Sequence, residues 1–131
     1  MAILRYAGRL SGLYPDGLDQ LNCDEILEIA TEIMTGAPKH ADEKEKLKLR
    51  GEWAKGALKK IFDLLEKRIS ERSKNGEWSA GKEFSIADLL LEGAIDMITS
   101  GGLDGVGPKF LEPYKACVAV AKKVKAHPKL Q

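Results

Sequence analysis

The stretch Gly81-Lys82-Glu83-Phe84-Ser85-Ile86-Ala87-Asp88 writes the start of a buried helix in local chemistry. Ser85 is a good N-cap, because its hydroxyl can accept a bond from an orphan N–H of the first turn. Asp88 stands three residues later, where a short carboxylate reaches back to the Ser85 amide and meets the positive helix end. Phe84 before the cap and Leu89 at the fourth helical position are placed to close a hydrophobic staple. Gly81, four residues upstream, turns the chain into the cap. The following run, Leu89-Leu90-Leu91-Glu92-Gly93-Ala94-Ile95-Asp96-Met97-Ile98, is apolar on most faces, so this helix, about 86–99, is expected to be the most buried. Ser85 and Asp88 are therefore read as a structural capping box, not as chemical groups.

Upstream, Ala54, Leu58, Ile61, Leu65 and Ile69 alternate at spacings of three and four, which predicts a long helix from Asp42 to Ser73. Gly51 and Gly56 each weaken it by about 1 kcal/mol relative to alanine, so a kink, break or close crossing is expected near Gly51. Asn75-Gly76 is read as its end. A second helix runs from Leu18 or Asp19 to Met34, with Leu21, Ile26, Ile29, Ala30 and Ile33 as its stripe and Glu25, Glu28 and Glu32 on an adjoining face. Gly36-Ala37-Pro38 stops it. The first helix spans Ala2 to Ser11, where Ile3, Leu4, Tyr6, Ala7 and Leu10 recur at helical spacing and Gly12 is suited to a left-handed C-terminal position. Leu13-Tyr14-Pro15-Asp16-Gly17 breaks the pattern and reads as a linker.

Downstream, Gly101-Gly102 ends the capped helix. Pro108 and Pro113 punctuate the approach to a last helix, from 109 or 113 to 126, with Pro113 tolerable at its first position. Lys122, Lys123 and Lys125 suit its negative end, and His127-Pro128 stops it. No alternating segment is long enough for a sheet. The reading is all-α, a bundle of five or six helices around one core.

The 131 residues suffice for one domain with a real core. A net charge of +1 gives no electrostatic case for nucleic acid or an anionic membrane, and acids interleave the lysines, as in Asp42-Glu43-Lys44-Glu45-Lys46. No apolar run approaches the ~20 residues of a membrane span, and no signal peptide opens the chain. Cys23 and Cys117 fall on separate helices and read as small buried apolar residues in a reducing compartment, so a cytoplasmic location is expected. His40 and His127 stand alone, without ligand-spaced neighbours, so no metal site is expected.

Four pieces in order carry a resemblance. Ala2-Ile3-Leu4-Arg5-Tyr6 followed by Gly12-Leu13-Tyr14-Pro15 looks like the last helix of a thioredoxin-like domain and its linker. Cys23-Asp24-Glu25-Ile26-Leu27 looks like the start of a first long bundle helix. Trp78-Ser79-Ala80-Gly81 through Asp88 resembles an aromatic-x-x-glycine and capping box, and Val124-Lys125-Ala126-His127-Pro128-Lys129 a closing motif. Together they resemble the C-terminal helical domain of cytosolic glutathione transferases, best the sigma-like branch. The resemblance implies that residues 1–12 are the last helix of a thioredoxin-like domain, 13–17 the linker and 18–131 the helical domain.

In that family the thioredoxin-like domain binds glutathione and activates its sulfur, since the thiolate is the nucleophile. The helical domain supplies an apolar wall for the electrophile and half of a dimer interface. The resemblance implies that Glu32 matches an acid reaching across the dimer toward the partner's glutathione. Met34 and Gly93 match positions of the hydrophobic substrate site. The residues themselves leave blander readings open: a solvated Glu32, a gap-filling Met34, a Gly93 that permits close helix packing. Tyr6 and Tyr14 fall where the family has structural aromatics, so no catalytic residue is expected. The thiol-activating part is expected to lie outside this chain, leaving it inactive alone, with glutathione the co-substrate of the full-length family and no covalently bound cofactor. Homodimers or a partner protein held through apolar helix faces are expected. The alternatives are a stand-alone, non-catalytic module for protein association and a small-molecule carrier.

Overall fold

Ile86, the first helical residue after the cap, has its backbone N–H bonded at 2.9 Å to the carbonyl of Leu13, between the first two helices. The capped helix is thus tied to the N-terminal segment at its own start. The computed structural model describes residues 1–73 and 78–128. Its helices are α1 (Ala2–Ser11), α2 (Leu18–Thr35), α3 (Glu43–Lys55), α4 (Ala57–Ser73), α5 (Ile86–Thr99) and α6 (Lys115–Lys125), with a 3-10 turn at Pro108–Leu111 before the last. Among the described residues there is no strand, and the domain is all-α.

Helix α5 is the central element, packed on α2 and α6. It buries Ile86, Ala87, Leu91, Ala94, Ile95 and Ile98. Helix α2 meets it with Cys23, Ile26, Leu27, Ala30 and Ile33, all fully buried. Helix α4 adds Leu58, Phe62, Leu65 and Ile69, and α6 adds Cys117, Val120, Ala121 and Val124. Each large side chain so buried contributes roughly 1.5–3 kcal/mol before entropy is counted.

The long helix expected over 42–73 is two helices, and the break is at Gly56 rather than Gly51. Gly56 leaves the helical region (φ −109°, ψ −99°) while its N–H still bonds to Glu52 and Trp53 carbonyls. Gly51 stays inside α3, and a Cβ there would meet nothing within 4 Å, so no close crossing needs it. The reason lies in burial: α3 buries no residue, whereas α4 is seated in the core, and the chain bends where the buried stripe begins. Phe62 belongs to that stripe, with its ring 5.2 Å from both Phe110 and Tyr114. The expected stop at Asn75-Gly76 lies outside the described residues, as does Lys129 of the closing motif.

The last helix also starts differently. Pro108, not Pro113, takes the first helical position, and it opens the 3-10 turn. Helix α6 begins only at Lys115, because Glu66 of α4 accepts the N–H groups of Ala116 (2.9 Å) and Cys117 (3.0 Å). A cap donated from fifty residues away fixes this start.

Candidate functional site

Asp88 is fully buried at the head of α5. One carboxylate oxygen accepts the Ser79 N–H (2.9 Å) and the Ser79 hydroxyl (2.6 Å). The other accepts the Ser85 N–H (2.9 Å) and, more weakly, the Ser85 hydroxyl (3.4 Å). Ser85 Oγ in turn accepts the Ala87 N–H at 3.2 Å, completing the capping box. Burial pushes the Asp88 carboxyl above its usual range, against the pull of these donors. The cluster has no open side. It anchors the 78–85 loop, in which Trp78 N–H also bonds the Gly81 carbonyl. Phe84 stacks on His127 (4.4 Å) and meets Trp78 edge-on (5.1 Å).

Helix α1 is held on the bundle by one face. Gly8 is buried against Ile86, where a Cβ would approach Cγ2 to 2.8 Å. Gly12 closes the helix in the left-handed region (φ 76°), a conformation natural to glycine. Arg5 donates to Asp24 (3.0 Å) and Glu28 (3.4 Å), and the Tyr14 hydroxyl donates to the same Asp24 oxygen (2.8 Å). The other face is bare: Ile3 is 85 % exposed, Leu10 72 % and Tyr6 66 %. On α2, Leu18 and Leu21 are exposed as well.

The three positions singled out from the resemblance lie on α2 and α5. Glu32 is exposed. Of its neighbours on α2, Asp24 and Glu28 are taken by Arg5, and Glu25 by Arg72 and Arg68. Among the described residues, the Glu32 carboxylate has no such cation. Met34 is half-buried against the core at the C-terminal end of α2. Gly93 is half-buried on α5, and a Cβ there would meet nothing within 4 Å. Close helix packing is therefore not what Gly93 serves. Ser79 and Glu66 are the polar residues the sequence reading missed. Their partners are nine and fifty or so residues away, beyond any local pattern.

Among the described residues, the phenols and thiols whose titration is displaced by the fold all move upward. Burial and the bond to Asp24 raise the Tyr14 phenol above its ordinary value. Tyr114, buried and donating to Asp63 at 2.9 Å, is pushed up to about 12. Both cysteines are buried; desolvation pushes each thiol upward, away from the thiolate. His40 Nδ1 accepts the Asp42 N–H at 2.9 Å, an ordinary turn contact before α3. No cluster of three or more His, Cys, Asp or Glu side chains suited to a metal occurs among the described residues. No described helix is long and apolar enough to cross a membrane.

Comparison with known proteins gives one family. A model described as glutathione S-transferase, C-terminal domain, matches residues 28–131. That span holds Glu32, Met34, Gly93 and the Ser85–Asp88 cap. No curated protein and no solved structure matches the chain.

Proposed function

Because the chain belongs to the glutathione S-transferase C-terminal domain family, we propose that it forms the helical half of a glutathione-conjugating enzyme. It supplies the wall against which an apolar electrophile rests and one side of a dimer contact. The observation that carries this reading is the two-faced α1. One side is pinned to α5 and α2, while Ile3, Tyr6 and Leu10 stand in solvent. An exposed stripe of large apolar side chains at helical spacing marks a surface that another body covers. In this proposal the cover is the remainder of a thioredoxin-like domain, which holds glutathione and activates its thiol. The open space at Gly93 and the half-buried Met34 support a place for the electrophile. The exposed Glu32 carboxylate, with no cation partner among the described residues, supports an acid that reaches a partner's glutathione amine. The 131 residues alone do not conjugate glutathione in this reading. Their two buried free thiols suit a reducing compartment, and the cytoplasm is the location it assigns.

The same exposed stripe favours a second reading, a non-catalytic module that associates with another protein. A chimaera decides between them. The thioredoxin-like half of a sigma-like transferase is joined ahead of Ala2, and conjugation of glutathione to a chlorodinitrobenzene is followed. The expected result is conjugation by the chimaera, none by the 131 residues alone, a raised electrophile KM in Gly93→Phe and a raised glutathione KM in Glu32→Ala. A chimaera that folds and dimerises yet conjugates nothing would move the association reading to first place.

A further inference from the structure

We infer that α3 is a strap that opens as one unit, hinged at Gly56 and latched to the Asp104–Gly105 loop, while the rest of the bundle stays folded. Helix α3 buries none of its residues, whereas α2, α4, α5 and α6 each seat at least four in the core. Both of its ends are joints. Gly36-Ala37-Pro38 and the turn over 39–42 precede it. Gly56 (φ −109°, ψ −99°) leaves the helical region before the chain turns helical again at Ala57.

The first two turns of α3 are fastened by polar groups. Arg50 donates from Nε to the Pro38 carbonyl (3.0 Å) and from Nη1 to the Asp104 carbonyl (3.1 Å). Lys46 Nζ pairs with the Asp104 carboxylate at 3.1 Å and with Glu43 of α3 itself at 3.1 Å. Gly105 backs this latch so closely that a Cβ would stand 3.1 Å from Arg50 Cβ and 3.3 Å from Leu47 Cδ2. Nearer the hinge, Trp53 and Ala54 rest half-buried on the core, and the Trp53 ring lies against the C-terminal end of α2 at Gly36. An element that buries little apolar surface and hangs on exposed hydrogen bonds has the low local stability of a subglobal opening unit. Exposed ion pairs such as Lys46–Asp104 hold only weakly. Opening releases the Asp104–Gly105 loop and uncovers the end of α2, where Met34 lies, so the strap governs access to that end. The inference concerns the opening of this chain itself and stands whether or not an electrophile docks there.

Hydrogen exchange of the full native chain is followed amide by amide at rising, sub-denaturing urea. In the unaltered chain the α3 amides should share one opening. It should be at least about a hundredfold more populated than the one that exposes α4 and α5, with a smaller urea dependence than global unfolding. Ile98→Val, in the core of α5, should speed exchange in α4 and α5 by roughly two- to tenfold and leave α3 unmoved, because the core is intact when the strap opens. Arg50→Ala removes two fastening bonds and should speed α3 by about tenfold. One protection and one urea dependence shared by α3, α4 and α5 overturns the hinge, as does an equal response of α3 to Ile98→Val. A graded loss from residue 43 onward, without a shared opening, is end fraying and overturns it too. Exchange in α3 that ignores Arg50→Ala overturns the latch. The urea series uses the unaltered chain, so it decides even where a variant fails to fold.

Discussion

The Ser79 hydroxyl donates a 2.6 Å hydrogen bond to the Asp88 carboxylate, and the Ser79 N–H donates to the same oxygen at 2.9 Å. Two residues nine apart are thus fused at the head of α5, and the whole entry loop depends on one buried acid. Asp88→Ala strands three buried donors, the two on Ser79 and the Ser85 N–H. At roughly 1–3 kcal/mol for each unsatisfied group, the loss should be at least about 3 kcal/mol. Ser79→Ala removes one bond and leaves the carboxylate with its other donors, so about 1–2 kcal/mol is expected. Ser85→Ala removes a cap for about 1 kcal/mol. Urea denaturation of the three variants checks the order. Ser79→Ala costing as much as Asp88→Ala would contradict it.

The pH dependence of the same acid has a definite sign. Burial holds its folded pKa above the unfolded value near 3.9. The folded state then binds the proton more tightly, so this group adds stability as pH falls through its folded pKa toward 4 and removes it as pH rises. Asp88→Asn is isosteric and has no such titration. The stability gap between the unaltered chain and Asp88→Asn should therefore widen as urea melts are moved from pH 7 to 4.5. A gap that is constant or shrinks would show that the four donors, not burial, dominate at Asp88.

What was legible in the sequence was what chemistry keeps within four residues. Ser85 and Asp88 state the cap, Gly12 states the end of α1, and the stripes of α2 and α5 state their buried faces. Less legible was what distant residues supply. Nothing near Lys115 says that Glu66 will cap α6, so the sequence leaves its start at 109 or 113. Gly51 and Gly56 have the same helix propensity, and only the burial of Leu58 and Phe62 puts the break at Gly56. The candidate site was less legible still. Glu32 looks like Glu25 and Glu28 in sequence, and only the placement of Arg5, Arg68 and Arg72 leaves it without a cation among the described residues.

Tyr114 titrates at the alkaline end. Burial and the bond to Asp63 raise its phenol from 10 to about 12. A raised folded pKa means that the stabilisation is complete below pH 10 and is lost as pH rises from 10 to about 12. Tyr114→Phe should cost about 1 kcal/mol at neutral pH. Between pH 9.5 and 12 the unaltered chain should lose roughly 2 kcal/mol more than the variant, from the 1.36 kcal/mol carried by each pKa unit. Parallel losses would assign the alkaline unfolding to other groups.

The two thiols should be silent until the domain opens. Cys23 and Cys117 are fully buried, and desolvation keeps both protonated at neutral pH. A disulfide reagent should therefore titrate no thiol in the native protein and two in urea, at a rate set by unfolding rather than by reagent concentration. Rapid reaction of either thiol in the native state would contradict the packing of α2 or α6.

The two faces of α1 should respond to substitution in opposite ways. A Cβ at position 8 would sit 2.8 Å from Ile86 Cγ2 and 3.3 Å from Tyr14 Cβ. Ile86 has little freedom to yield, since a β-branched residue in a helix keeps one rotamer. Gly8→Val should therefore lift α1 from α5. The part-exposed Arg5–Asp24 pair, worth up to about 1 kcal/mol, is too weak to hold it. Amide exchange in α1 should accelerate by at least tenfold while α2 and α5 stay protected. Ile3→Glu/Leu10→Glu changes only the solvent face, so α1 should stay protected and the urea midpoint should hold to within about 0.5 kcal/mol. What the double variant should lose is association. Sedimentation at tens of micromolar should show less self-association, or no docking of a thioredoxin-like half, because two charges now stand on the surface that needs a cover. If the double variant instead unfolds α1, the stripe is holding the helix to this bundle, and the domain needs no neighbour there.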